Sequence, residues 1–390
     1  MDLFYSMEET TVESKIVRLK KSRVIEQMKE AKVLLVQGPK GIGKTEFILD
    51  ILSDLDWSHQ ILSKKDYKGL DTETEIYDFL STKIGNAEIV VLKDAEHFGQ
   101  LQFLLEMILA EDHLAKVILL SSFQAPIDEL LFEALKANDL VVELTPFAFY
   151  ELAQTKGMGS LEKELEDRLV FGSYPAVIEN PEKAEEIINE LLEQILVTQL
   201  GANDRINKKK QMIAVLKTLA FQMGEVLSYN DIGTRCDLDN ETVERYVELF
   251  EKAFLLYRIP SYYGGNKYEM KKGTSVYFAD NGLRNALINN FNSMEWRNDA
   301  TQLWRNWLLV EKIKWNQNLG KTVDYYTWKT HTKQNVDCIE IENGRMRAYQ
   351  TSWTKKKTVR FPAGFLKYYP NAETFQLNKS TYWGFLSSKK

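Results

Sequence analysis

Four short apolar runs mark the first part of the chain, at 33–36, 88–92, 117–120 and 141–144. Each is rich in branched side chains and apolar at consecutive positions, as in strands covered on both faces. Helical periodicity fills the intervals, so the pattern predicts an α/β unit with a parallel sheet. A helix is expected over 15–30, leading into the first strand. Thr145-Pro146-Phe147 then breaks the alternation, and 148–200 reads as mostly helical, punctuated by Gly172 and Pro175. Gly201-Ala202-Asn203-Asp204 and Lys208-Lys209-Lys210 read as a linker. Helices are predicted over much of 211–290, with strands at 253–259 and 275–278 and a Gly264-Gly265-Asn266 turn. Beyond 295 the pattern predicts a helix over 301–316 and strands at 323–328, 335–341 and 346–353. Glu342-Asn343-Gly344 is a hairpin signal between the last two.

At 390 residues the chain exceeds the size of one hydrophobic core, so several domains are expected. With 44% hydrophobic and 27% charged residues it has an ordinary globular composition. The net charge of −6 supplies no global basic field for nucleic acid or anionic lipid. Two distant cysteines, Cys236 and Cys338, suit a reducing compartment, and four scattered histidines suggest no zinc site. No apolar run approaches the ~20 residues that span a bilayer, and the first residues lack a signal-peptide pattern. A cytoplasmic protein without a membrane partner is expected. Seven of the eight tryptophans lie beyond 295 and are expected to anchor a core and domain interfaces.

Candidate chemistry centres on Gly38-Pro39-Lys40-Gly41-Ile42-Gly43-Lys44-Thr45, which follows the first apolar run and precedes a helix opening at Glu46. This G-x-x-x-x-G-K-T spacing is that of a phosphate-binding loop. Its glycines let successive N–H groups point into one concavity, and the helix N-terminus adds positive partial charge. Lys44 would reach the β- and γ-phosphates, and the Thr45 hydroxyl would ligate Mg²⁺. Gly38 through Glu46 are thus the expected nucleotide-binding residues, with ATP or GTP as ligand.

A second acidic motif is expected where a neighbouring strand ends, and 88–92 runs into Lys93-Asp94-Ala95-Glu96. Asp94 is the candidate metal acid beside Thr45. The register is ambiguous: if Asp94 holds the metal, Ala95 occupies the water-activating position and Glu96 would have to act from one residue further on; if Asp94 is the second acid, the first position holds Lys93. Alternatively both acids simply begin a helix. Ser121, ending the run at 117–120, either reaches the γ-phosphate or caps a turn. Arg168 is a weak candidate for a charge-stabilising arginine.

Together these residues resemble an AAA+ superfamily ATPase of the fused bacterial and archaeal type. The resemblance extends to Leu144-Thr145-Pro146-Phe147, to Phe171-Gly172-Ser173-Tyr174-Pro175, and most closely to Val276-Tyr277-Phe278-Ala279-Asp280-Asn281-Gly282-Leu283-Arg284. It implies an ATPase core over 1–145, a helical lid over 146–205, a winged helix over 206–294 and a restriction-endonuclease-like domain over 295–390. It also favours ATP over GTP, with Mg²⁺, and self-assembly or a protein partner. The acids after Leu92 depart from the family's adjacent pair, which puts rapid hydrolysis in doubt. Asp280-Asn281-Gly282 reads as a turn in which Gly282 is able to take positive φ. The third helix of the winged-helix pattern exposes Asp239, Glu241, Glu244 and Glu248 against a single Arg245, so DNA reading is not favoured. In the nuclease-like fold, Asp337 matches the metal-binding acid, but Gln350 and Ser352 stand where Glu and Lys are required. Cleavage is therefore not expected.

Overall fold

The computed structural model describes residues 16–70, 72–83, 87–110, 115–200, 206–265, 268–270, 273–354 and 359–387. The first unit alternates helices and strands in chain order: α1 (Lys21–Glu30), β1 (Val33–Gln37), α2 (Lys44–Leu55), β2 (His59–Leu62), α3 (Lys64–Tyr67), α4 (Glu73–Lys83), β3 (Ile89–Lys93), α5 (Leu101–Ala110), β4 (Lys116–Ser121), α6 (Glu129–Ala137) and β5 (Val141–Glu143). The five strands form one parallel sheet in the order β2-β3-β4-β1-β5. Every β1 residue is buried, because helices cover both faces.

Two expectations need correction. Sequence periodicity predicts four strands, and the structure has a fifth, β2, at the sheet edge, where His59 and Ile61 face solvent and the apolar pattern breaks down. The predicted helix over 15–30 starts only at Lys21. Among 16–20, Arg18 is turned inward and bonds to two loop carbonyls.

A helical layer follows: α7 (Phe149–Lys156), α8 (Met158–Phe171), α9 (Pro175–Glu179) and α10 (Ala184–Gln194), the last passing into a π-helical turn at Ile195–Gln199. Next come α11 (Ile206–Phe221), α12 (Tyr229–Cys236) and α13 (Asn240–Lys252), then the antiparallel pair β6 (Leu256–Pro260) and β7 (Thr274–Phe278), and α14 (Asn281–Leu287). Asp239 caps α13 by accepting from the Thr242 N–H at 2.7 Å. Lys208–Lys210 lie within α11, so that part of the expected linker is helical, and Lys209 pairs with Glu193. The segment 201–204 lies outside the described residues.

Gly282 also departs from expectation. It sits in the first turn of α14, with Asp280 as the N-cap, and does not have positive φ. A glycine is required because a Cβ there would lie 2.2 Å from the Phe171 carbonyl oxygen. Close approach of two backbones, and not turn geometry, explains this residue.

The C-terminal part begins with the long helix α15 (Ala300–Asn318), followed by β8 (Asp324–Lys329), β9 (Asn335–Glu342), β10 (Arg345–Thr351), α16 (Ala363–Tyr368), β11 (Glu373–Leu377) and α17 (Tyr382–Ser387). Its sheet runs β11-β10-β9-β8, with β11 parallel to β10 and the other pairs antiparallel. Asn343 and Gly344 both take positive φ in the two-residue β9–β10 hairpin. Trp304, Trp307, Trp315 and Trp328 are buried as expected, whereas Trp296 is 82% exposed. Helix α15 packs against the helical layer: Trp307 meets Phe149 edge-on at 5.1 Å, and Glu311 accepts the Phe149 N–H at 2.6 Å. No helix among the described residues is long and apolar enough to cross a membrane.

Candidate functional site: the phosphate loop and the facing helices

The loop between β1 and α2 takes its shape from three glycines. Gly38, Gly41 and Gly43 have φ of 149°, 83° and 78°, values that side-chain-bearing residues rarely adopt. Gly38 also passes so close to β5 that a Cβ would stand 2.0 Å from the Leu144 carbonyl oxygen. Its N–H donates to the Ser121 carbonyl at 3.2 Å, tying the loop to the end of β4. Lys44 opens α2 with its ammonium folded back across the loop, donating to the Gly38 and Pro39 carbonyls at 2.9 Å each. Burial lowers the Lys44 pKa to about 8, opposed by the negative charges of Glu96, Asp94 and Glu46. A partly desolvated ammonium inside a ring of main-chain dipoles is well placed for a polyanion.

Above the loop lies a cavity of about 1190 Å³ between the core and the helical layer. Lys40, Gly41, Ile42, Gly43, Lys44, Thr45 and Glu46 all line it, whereas Gly38 and Pro39 act through their carbonyls on Lys44. The facing wall comes from α7 to α9, including Thr155, Lys156 and Pro175 with Ala176 and Ile178. The lining mixes apolar side chains, Phe147, Ala176 and Ile178 among them, with polar ones that include Lys93, Asp94 and Ser122. A mixed apolar and polar lining of this size suits a ligand with both a flat base and a charged tail.

The acids separate in space. Asp94 lines the cavity, exposed, with φ of 58°, and the Tyr67 hydroxyl donates to its carbonyl at 2.8 Å. Thr45 and Asp94 share the cavity wall, and a hydroxyl with one carboxylate is a donor set that Mg²⁺ accepts when phosphates and waters complete its shell. Glu96 turns aside: its carboxylate accepts from the Ser121 hydroxyl at 3.0 Å and the Ser122 N–H at 3.2 Å. Ser121 is wholly buried and does not line the cavity, while Ser122 does. Arg168 is also buried, away from the cavity, beside Asp280 and Lys314.

Residues without a sequence signal complete the site. The Arg18 guanidinium donates to the Ile42 and Thr145 carbonyls at 2.8 Å each and stands 4.0 Å from the Phe147 ring centroid. It thus joins the segment before α1 to the phosphate loop and to the chain leaving β5. Leu191 of α10 packs onto Gly41, where a Cβ would lie 2.7 Å from its Cδ1. The Gly172–Pro175 turn, which precedes cavity-lining α9, is held by Asp280. That carboxylate accepts the Ser173 N–H at 2.8 Å as well as the Gly282 and Leu283 N–H groups of α14.

A family model described as a domain of unknown function (DUF8612) matches residues 162–294, about a third of the chain. An uncharacterized protein of Haemophilus influenzae is 25% identical over 158 residues, which are 38% of this chain and 39% of that protein. The chain therefore spans about two fifths of the length of the curated relative it matches. Among solved structures, a Walker-type ATPase of Pyrococcus abyssi is 14% identical, with a TM-score of 0.44, covering 73% of this chain and 99% of that one. The RuvB Holliday junction branch migration motor of Thermotoga maritima is 16% identical, with a TM-score of 0.35 over 63% of this chain and 90% of its own. What decides the fold is internal to this chain: the G-x-x-x-x-G-K-T loop lies between β1 and α2 of a parallel sheet. The α/β unit has a P-loop fold.

Proposed function

We propose that this protein is a Mg-ATP-binding ATPase of the AAA+ kind, with nucleotide held between the phosphate loop and the α7–α9 lid. One observation carries the reading: Lys44, Thr45 and Asp94 converge on a single large cavity whose opposite wall is a separate helical layer. The loop amides and Lys44 bind the triphosphate, and Pro175, Ala176 and Ile178 on the lid side receive the base. Mg²⁺, held by Thr45 and Asp94, would neutralise charge on the phosphates. Contacts between lid and α14–α15, through Asp280 and Glu311, support a link from nucleotide state to the C-terminal half. We read α11–α13 with β6–β7 as a winged helix used for packing or partner binding. Its third helix exposes Asp239, Glu241 and Glu244 beside Arg245, a poor face for DNA phosphates.

We read the C-terminal sheet as a restriction-endonuclease-like domain that has lost its chemistry. The Asp337 carboxylate is taken up by protein: it forms an ion pair with Arg305 at 2.9 Å and accepts the Thr351 N–H at 2.8 Å, the Thr351 hydroxyl at 2.9 Å and the Asn335 amide at 3.0 Å. A cation already fills the place of a metal, so these residues do not fit Mg²⁺.

A second reading, a nucleotide-stabilised binding module with little turnover, is favoured by the engagement of Glu96 with Ser121 and Ser122. A carboxylate held there must break two bonds to orient water. Steady-state phosphate release separates the readings. Turnover abolished by Lys44→Ala supports the ATPase, and tight binding without turnover supports the module.

A further inference from the structure

The carboxylate on which the metal site depends sits on a backbone that needs support. Strand β3 ends at Lys93, paired with Leu120 of β4, and Asp94 follows with φ of 58°. Residues with side chains seldom hold this left-handed conformation, although Asp tolerates it better than most. A single 3₁₀ turn, Ala95–His97, comes next. The Asp94 carboxylate, exposed in the cavity wall, accepts no hydrogen bond among the described residues. A strained residue of this kind persists only where its surroundings hold it. The hold must therefore come from its main chain.

Tyr67, the last residue of α3, supplies it. Its side chain is buried, with the ring centroid 5.1 Å from that of Phe98. Its hydroxyl donates to two consecutive carbonyls, those of Lys93 and Asp94, the second at 2.8 Å. The Asp94 carbonyl also accepts the His97 N–H at 2.9 Å, so the reversal after β3 is pinned from both sides. Helix α3 is itself fixed at its start. The Asp66 carboxylate accepts the Ser63 N–H at 2.7 Å and the Ser63 hydroxyl at 2.9 Å. Two residues beyond Asp94, Glu96 is held by a different anchor, Ser121 and Ser122. Phenylalanine would satisfy the packing beside Phe98, so the Tyr67 hydroxyl answers to the two carbonyls.

We propose that Tyr67 is a positioning residue for the Mg²⁺ that accompanies the triphosphate. The proposal rests on the Mg-ATP reading above and adds a residue which that reading does not use. By fixing the peptide between Lys93 and Asp94, the phenol holds the Asp94 carboxylate in the wall it shares with Thr45. Without the hydroxyl, the reversal samples other backbone conformations, and the carboxylate is in place for a smaller fraction of the time. Metal affinity falls by that fraction.

Calorimetric titration of the full chain with ATP, in Mg²⁺ and again in EDTA, tests this for wild type and Tyr67→Phe. The quantity read is the gain in affinity that Mg²⁺ confers. Tyr67→Phe is expected to cut that gain about fivefold, the effect of one lost hydrogen bond. Affinity in EDTA should stay within about twofold of wild type. Asp94→Ala should remove most of the gain, and adding Tyr67→Phe to it should remove nothing more, because the phenol acts through that carboxylate. A merely structural Tyr67 would lower the melting temperature and leave the gain unchanged, and that result overturns the proposal. So does an equal further loss when Tyr67→Phe is added to Asp94→Ala. A wild type that takes up ATP with no gain from Mg²⁺, or takes up none, overturns the Mg-ATP reading and this proposal together.

Discussion

Replacing Asp280 by alanine probes the joint between lid and C-terminal half. The carboxylate is 4% exposed and accepts three main-chain N–H groups, from Ser173 and Gly282 at 2.8 Å and from Leu283 at 3.3 Å. Two of those bonds cap α14, and capping residues contribute about 0.5–2 kcal/mol. The third holds the lid turn. Alanine leaves that donor buried and unpaired, at about 1–3 kcal/mol. Burial raises the Asp280 pKa, opposed by Lys314, so removal also recovers some desolvation cost. The expected net loss is about 3 kcal/mol. Asp280→Asn keeps Oδ1, which serves both α14 donors, but sets an amide N–H against the Ser173 N–H. It should lose about 1–3 kcal/mol. Urea unfolding of the full chain measures both, and a fluorescent ATP analogue reports the lid. Both variants lose the Ser173 bond, so both are expected to weaken nucleotide binding. A loss below about 1 kcal/mol for alanine, with nucleotide affinity unchanged, would refute the argument that Asp280 braces the site.

Lys44 gives a pH signature. Its pKa in the folded protein is lowered to about 8, while the unfolded chain keeps the ordinary value near 10.5, so between these values the unfolded state binds more protons and stability rises with pH. Triphosphate needs the ammonium, so affinity runs the other way and falls as pH climbs past 8. Binding at pH 8 should take up about half a proton, read by calorimetry in buffers of different ionisation enthalpy. Gly41→Ala meets both a φ of 83° and the Leu191 side chain. It should cost about 1–2 kcal/mol and much of the nucleotide affinity, and adding Leu191→Ala should restore only the steric part of the melting temperature. Arg305→Ala strands the buried Asp337 carboxylate and should lose about 3–5 kcal/mol without creating Mg²⁺-dependent cleavage of plasmid DNA; cleavage by this variant would contradict the account of the sheet.

The phosphate loop was legible because its constraints are local. Three glycines at positive φ, a lysine and a threonine must stand at fixed spacing, and the strand before and helix after them are short-range patterns. The buried strands β1, β3 and β4 were legible for the same reason, as unbroken apolar runs. Edge strand β2 was not, since one exposed side admits His59 and removes the run. Arg18 gave no signal because its partners, Ile42 and Thr145, are distant in sequence and are recognised by their carbonyls, which any residue supplies. The bonds from Ser121 and Ser122 to Glu96 are likewise set by the sheet order, which places β3 beside β4. Gly282 belongs to a legible turn signal, but what demands a glycine there is a second backbone, at Phe171, that periodicity along one segment cannot reveal.

The most direct measurement is calorimetric titration of the purified full chain with ATP and Mg²⁺, in parallel with Lys44→Ala. One nucleotide per chain should bind the wild type, and the variant should lose at least about tenfold in affinity. Absence of any nucleotide uptake, or uptake equal in both proteins, would contradict the assignment of this loop as the triphosphate site.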